Sequence, residues 1–336
     1  MSRTQPIDVS ILIVSFNTRE LTLEALRSVR RETTDVSYEV IVVDNASGDG
    51  SAMAIAAEFP DVRLFARADN IGFARANNLA AREARGKFIL LLNPDTVVLD
   101  RAIDRLHAFA RRLPDARIWG GRTLFADGSL NSASCWGRMT LWNLACRATG
   151  LAAVFRTAEV FNGEAYGGWL RDTERAVDIV SGCFLMIEAS FWRELDGFDP
   201  LFFMYGEEAD LCLRAKALGA RPAVTPEATI IHFGGASESA RTGKMIKLLS
   251  AKASLIQRHF HPLVRTFGLT LLAAWPASRL FATSLSASCT GRDGDRAAAR
   301  TWGEIWTARS VWIAGYSPPA EIERPPIAVS SATPLL

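Results

Sequence analysis

Val40-Ile41-Val42-Val43 runs into Asp44-Asn45-Ala46-Ser47-Gly48-Asp49-Gly50: four β-branched residues stop at an acid, and a polar, glycine-rich turn follows. An apolar run of this kind reads as a strand covered on both faces. Asp44 then stands at its carboxyl end. Upstream, Val9-Ser10-Ile11-Leu12-Ile13-Val14 is a second buried strand, followed by Leu21, Ala25 and Val29 at helical intervals. Asn17, with Glu20 three residues on, has the spacing of a capping box. Downstream, a helix is expected over 51–58, a short strand near 62–65 and a helix over 75–85. Phe88-Ile89-Leu90-Leu91-Leu92 is a further buried strand that stops at Asn93-Pro94-Asp95. Strand and helix alternate throughout, which predicts an α/β, mainly parallel, doubly wound sheet. In such sheets ligands bind beyond the carboxyl ends of the strands. Asp44 and Asp95 both lie there.

Composition narrows the class. A chain of 336 residues, 49% hydrophobic and 22% charged, is neither disordered nor low in complexity. Its 38 basic and 36 acidic residues leave a net charge of +2, which gives no footprint for nucleic acid. Five cysteines without a CxxC pair argue against a zinc site or a disulfide framework and for a reducing compartment. The first seventeen residues lack the anatomy of a signal peptide, and no run of about 18 apolar residues marks a membrane span. A cytoplasmic protein is expected.

Further along, 122–177 has no clear period and reads as an inserted segment. Val177 to Ile187 reads as a strand with Ser181-Gly182-Cys183 inside it. A helix is expected from Asp210 to Leu218 and a last strand from Ala228 to Phe233. Two regions follow from this: 1–238 as the α/β domain and 239–336 as a C-terminal helical one. Between Ser239 and Arg292 there is no acid but eight basic residues, next to the apolar run Phe267–Trp275. That pairing suits an interfacial membrane anchor, and it also suits helices packed on the core with solvated charges. Pro276 and Arg279 interrupt any true span.

Three places carry chemistry. Asp95, held at a strand end, suits a hard divalent cation whose other oxygens come from a diphosphate. Glu207, Glu208 and Asp210 cluster at a helix start, where acids complement the macrodipole; the sharper reading is a carboxylate kept ionised there as a general base. The aromatics Phe202-Phe203-Met204-Tyr205 would wall a sugar face or sit in the core. His232 ends a strand and could complete a metal site with Asp95. No GxGxxG or GxxxxGK[ST] is present.

Taken in order, "VSILIVSFNT", "VIVVDNASGDGS", "DNIGFARANNLA", "LLNPDTVV", "VSGCFLMI", "GFDPLFFMYGEEADLCLRAKALG" and "IIHFGG" resemble the inverting, GT-A-fold family 2 glycosyltransferases, in particular the rhamnosyltransferase-like branch. The resemblance implies that Asp44 binds the nucleotide, with Ser15 and Asn17 lining the first loop and Asn70, Gly72 and Asn77 the second. Asn93 and Asp95 stand at the DxD motif, with Asp95 on Mg²⁺ or Mn²⁺ and His232 reaching the same ion. Glu208 falls at the catalytic base, and Asp210 remains the alternative. Asn93 replaces the first Asp of DxD and Glu208 the usual Asp. The implied reaction moves a sugar, rhamnose from dTDP-rhamnose or another sugar from a UDP donor, to a glycan or polyprenyl-linked glycan. The implied location is the inner face of the cytoplasmic membrane, with the membrane surface contacted through 239–292. The rival reading is a non-catalytic nucleotide-sugar or glycan-binding module.

Overall fold

The computed structural model describes residues 6–234 and 241–317. Residues 1–5, 235–240 and 318–336 lie outside it, among them Gly235 of the last motif block, the start of the basic segment and the far end of the C-terminal region. The first half follows the expected alternation: β1 (Val9–Ser15), α1 (Arg19–Glu32), β2 (Tyr38–Asp44), α2 (Ser51–Glu58), β3 (Arg63–Ala66), α3 (Phe73–Glu83) and β4 (Phe88–Leu92). Then come β5 (Thr96–Val98), α4 (Ala102–Arg112), β6 (Ile118–Leu124), β7 (Leu130–Asn131), β8 (Cys135–Trp136), α5 (Leu141–Thr149) and α6 (Leu151–Val154). The next group is β9 (Arg175–Ala176), β10 (Ile179–Val180), β11 (Phe184–Glu188), α7 (Ala189–Glu194), α8 (Glu207–Ala217) and β12 (Ala223–His232). Four helices close the described part: α9 (Arg241–His259), α10 (Pro262–Thr290), α11 (Asp293–Thr307) and α12 (Arg309–Ile313).

The larger sheet runs β3-β2-β1-β4-β11-β6-β12-β5. Its β3-β2-β1-β4 half is parallel, as the apolar runs imply. All seven residues of β1 are buried, because helices cover both faces. One face packs on Leu12, Ile41, Leu91 and α8; the other packs on Ile11, Val42, Leu90 and α4. β11 runs antiparallel to both β4 and β6, which makes the sheet mixed. Gly121 lets β12 close on β6: a Cβ there would lie 2.1 Å from the Ala228 carbonyl oxygen.

Two readings need correction. Val177–Ile187 is not one strand: β10 pairs with β8 in a separate small sheet, and Ser181–Cys183 forms the turn into β11. Asn17 does not cap α1; Thr18 stands at that position, without a side-chain cap bond, and Asn17 takes a left-handed φ of 52°. α10 continues as helix through Pro276, and, as expected for the apolar segment interrupted there, this helix does not qualify as a membrane span.

The C-terminal helices form a third core. Leu249, Ala253, Ile256, Leu272, Trp275, Ile305 and Trp312 pack with Leu144 of α5. Some of the basic residues are spent inside: buried Lys252 pairs with Glu164, which Arg147 also holds at 3.1 Å. The packed-helix reading of this segment therefore accounts for α9. On α10, Leu263, Phe267, Phe281 and Leu285 remain exposed and fall on one stripe at 3.6 residues per turn. No helix among the described residues is long and apolar enough to cross a membrane.

Candidate active site

Parallel pairing brings Ser15 level with Asp44 at the carboxyl edge of the sheet. Asp44 is 2% exposed; its Oδ2 accepts the Ser47 N–H at 3.1 Å, and its buried Oδ1 has no partner. Asn17 closes the neighbouring loop onto it: its Oδ1 accepts the Gly48 N–H at 2.8 Å, and its own N–H donates to Ser47 Oγ. Asn45 Nδ2 donates to Asn70 Oδ1 at 2.8 Å, which also accepts the Gly72 N–H. These bonds fix the first and second expected donor stretches to each other. Gly72 has φ +82°, and a Cβ there would meet the Phe203 carbonyl oxygen at 2.6 Å. Only glycine lets this loop lie against the segment before α8.

Ser15 and Asn77 are placed differently from the donor-lining role. Ser15 is fully buried, and its hydroxyl joins those of Thr18 and Thr22. Asn77, 1% exposed, donates back to the Phe73 carbonyl. Both spend their polar groups inside the fold.

The strand ends bring Asp95 and His232 together. Thr96 pairs with His232 across β5 and β12, and Asp95 Oδ1 lies 3.3 Å from His232 Nε2. Asn93 Nδ2 is also 3.3 Å from that nitrogen, and Asn93 Oδ1 and His232 Nδ1 are buried without partners. Burial works against a charge on His232, but the Cys183 sulfur and the Asp95 carboxylate outweigh it and raise its pKa to about 10. A divalent cation bound at this nitrogen would have to displace that proton. One carboxylate, one imidazole and an orphaned amide oxygen fit Mg²⁺ or, with its tolerance of nitrogen, Mn²⁺. Among the described residues no group of three or more His, Cys, Asp or Glu could hold a metal ion, so a cation at this pair would need its remaining oxygens from a bound diphosphate.

The α8 acids divide sharply. Glu207 is buried, its Oε2 has no partner, and burial together with the Glu208 charge pushes its carboxyl well above the ordinary range. Glu208 keeps partial exposure, yet burial raises its pKa as well. The helix start therefore does not simply keep Glu208 ionised, as the sequence suggested; desolvation outweighs the backbone N–H groups. Asp210 is fully enclosed and bonded to His259 and Arg258, each at 2.8 Å, and to Arg214 at 2.7 Å. Burial opposes its charge, but these partners hold its pKa below the usual value. Of the aromatics before α8, Phe202 is core and Phe203 is 42% exposed.

Gly182 joins the two halves. A Cβ on it would lie 3.8 Å from Glu208 Cβ, and the next carbonyl, that of Cys183, accepts the Asn93 N–H at 3.1 Å. Sequence reading placed this turn inside a strand. A glycine within a strand pattern was the available signal of close approach.

A half-parallel sheet with acids at its strand ends, an aspartate–histidine pair and a glutamate at a facing helix start is the GT-A type of glycosyltransferase fold. The chain belongs to glycosyl transferase family 2, whose family model matches residues 10–193, and it is a transferase. It is 28% identical over 239 residues to the O-antigen biosynthesis protein RfbC of Myxococcus xanthus, a match that covers 69% of this chain but spans only 18% of that protein. It is 27% identical over 210 residues to the N-acetylglucosaminyl-diphospho-decaprenol L-rhamnosyltransferase of Mycobacterium tuberculosis, covering 59% of this chain and 67% of that one. The mannosyltransferase PcManGT of Pyrobaculum calidifontis superposes with a TM-score of 0.54 at 19% identity, over 93% of this chain and 88% of that one. That likeness bears on the fold alone.

Proposed function

We propose that this protein transfers a sugar, with inversion, from a nucleotide donor to a hydroxyl of a lipid-linked glycan. The observation that carries this reading is the Ser181–Cys183 turn, which has Glu208 on one side and Asn93, bonded to His232, on the other. Base and diphosphate ends of one crevice then sit within a few residues of each other. Asp44, with its free Oδ1, Asn17 and the Asn70–Gly72 loop would hold the nucleoside. Asp95 and His232, with Asn93 beside them, would hold Mg²⁺ or Mn²⁺, which when bound offsets the charge on the departing diphosphate. Glu208 takes the proton of the acceptor hydroxyl as that oxygen attacks the anomeric carbon from the face opposite the leaving group. Glu207 holds the proton of the glutamate pair and leaves Glu208 the charged partner. Asp210 is tied to two guanidinium groups and an imidazole and plays no part in proton transfer.

dTDP-rhamnose is the proposed donor; the name of the Mycobacterium tuberculosis relative supports the sugar, and the dTDP carrier is part of the proposal. Calorimetry with dTDP-rhamnose, UDP-glucose, UDP-galactose and GDP-mannose, with and without Mn²⁺, tests this. One donor binding in a metal-dependent way is expected; a folded protein that binds none of the four with metal present overturns the reading.

The same proposal puts the enzyme at the inner face of the cytoplasmic membrane, with the exposed stripe of α10 against the lipid. Two exposed aliphatic or aromatic side chains moved out of water are worth about 3–6 kcal/mol. Phe281→Glu with Leu285→Glu should weaken sedimentation with anionic phosphatidylglycerol vesicles at least tenfold. Equal pelleting of the double variant would exclude this stripe as the contact.

A further inference from the structure

The charged and aromatic contacts between the C-terminal helices and the segment before α8 are not needed for membrane contact, and all converge on one short stretch, 199–210. Arg258 of α9 bridges two acids, reaching Asp199 at 2.7 Å through Nη1 and Asp210 at 2.8 Å through Nε. His259 reaches Asp210 as well. Tyr316, after α12, donates its hydroxyl to the Met204 carbonyl, packs its ring edge-on against Phe202 at 6.1 Å, and is itself held by its N–H on Ser254 Oγ at 2.8 Å. Between these tethers α9 runs directly against Gly206, where a Cβ would come within 3.1 Å of the Ala251 Cβ. Glu207 and Glu208 follow Gly206 immediately.

We infer that α9 and Tyr316 form a clamp that sets the position of Glu208, with Arg258, His259 and Tyr316 as positioning residues for transfer. This rests on the reading of Glu208 as base. Arg214 holds the other side of the same segment, through Asp210 and the Gly197 carbonyl at 2.7 Å, so the stretch is fastened at both ends and in the middle. An arrangement of this kind fixes a general base against the acceptor more tightly than a surface loop would, and a displacement of about 1 Å costs on the order of 100-fold in rate. The C-terminal helices are therefore part of the catalytic unit as well as the candidate membrane contact. The Asp44 loop lacks these tethers; the Asn70–Gly72 loop touches the stretch only at the Phe203 carbonyl, which accepts the Phe73 N–H at 2.9 Å, so nucleotide binding should depend on the clamp far less than transfer does.

The test uses the full chain with Arg258→Gln, Tyr316→Phe and, as the charge-retaining control, Arg258→Lys. Turnover of dTDP-rhamnose, to acceptor or to water, should fall about 10- to 100-fold in kcat for the first two variants, with KM within about twofold, and Arg258→Lys should recover part of it. Amide hydrogen exchange read by mass spectrometry needs no substrate. It should quicken in peptides from 199–210 and stay unchanged in α1 and β2, which make no contact with that stretch. Unchanged exchange at 199–210 overturns the clamp, and so does equal quickening across the whole chain, which would mark a merely structural contact. Tyr316→Phe removes one hydroxyl and guards against loss of fold. Glu208→Gln separates the two readings: full turnover in that variant would remove the base assignment, while the exchange result still decides the clamp.

Discussion

Glu208→Gln should lower kcat by about 10³-fold and leave nucleotide-sugar affinity within about twofold. The size follows from what a positioned base contributes, roughly 10²–10⁴-fold. The sparing of affinity follows from Glu208 facing the Gly182 turn rather than the Asp44 and Asn70 loops. A glutamine keeps the volume and removes the acceptor of the proton. The pH dependence carries a sign that can be worked out beforehand. Burial raises the Glu208 pKa, and the base works only when deprotonated. With Mn²⁺ saturating, so that the His232 proton is already displaced, kcat/KM should therefore climb with pH through a value above the ordinary glutamate range and level off beyond it. A profile already flat from pH 4 upward would mean that the titrating base is not this carboxyl. Asp210→Asn is the informative comparison. That change leaves Arg214, Arg258 and His259 around a neutral group, and breaking a buried ion cluster in this way costs about 3–5 kcal/mol of stability. Transfer that persists in Glu208→Gln and vanishes in a folded Asp210→Asn would move the base to Asp210.

The parallel half of the fold was legible because its strands are unbroken apolar runs that end in polar turns; β4 and α2 fall where the pattern put them. β5 was not, since three residues at 96–98 are too few to show a period. The stretch 122–177 hid its order for a different reason. Arg171, only 3% exposed, organises it by donating to the carbonyls of Trp169, Ala165, Ser132 and Tyr166. A guanidinium acting as a core leaves no hydrophobic period to read. At the site, Asp44 and Asp95 could be placed at strand ends from sequence alone, because strand direction dictates which end faces the crevice. The burial of Ser15 and Asn77 could not, since each depends on which neighbours fill the space beside it. Least legible were the contacts of Asp210. His259 lies 49 residues away, and nothing in the basic segment marks Arg258, itself partly exposed, as the residue that reaches back to Asp199 and Asp210.

Asp95→Ala should abolish the metal dependence of donor binding. In the unaltered protein Mn²⁺ should tighten the nucleotide sugar by about 100-fold, ~2.8 kcal/mol; in the variant, affinities with Mn²⁺ and with EDTA should coincide. Asp95 does little else in the fold. Its carboxylate lies beside His232 and has no helix to cap, while its backbone oxygen accepts the Phe233 N–H at 3.0 Å, a bond that survives truncation of the side chain. The β5–β12 pairing should therefore hold, and a thermal midpoint near that of the unaltered protein would confirm that the loss is local. His232→Ala tests the second ligand with a smaller effect, since removing an imidazole leaves the only carboxylate of the pair in place. The order Asp95→Ala worse than His232→Ala follows from charge, because a hard cation gains more from an anionic oxygen than from a neutral nitrogen. An unchanged Mn²⁺ dependence in Asp95→Ala would remove this aspartate from the diphosphate end of the site. The reversed order, with His232 dominating, would point instead to a softer ion than Mg²⁺ or Mn²⁺, with the Cys183 sulfur next to His232 as its natural companion.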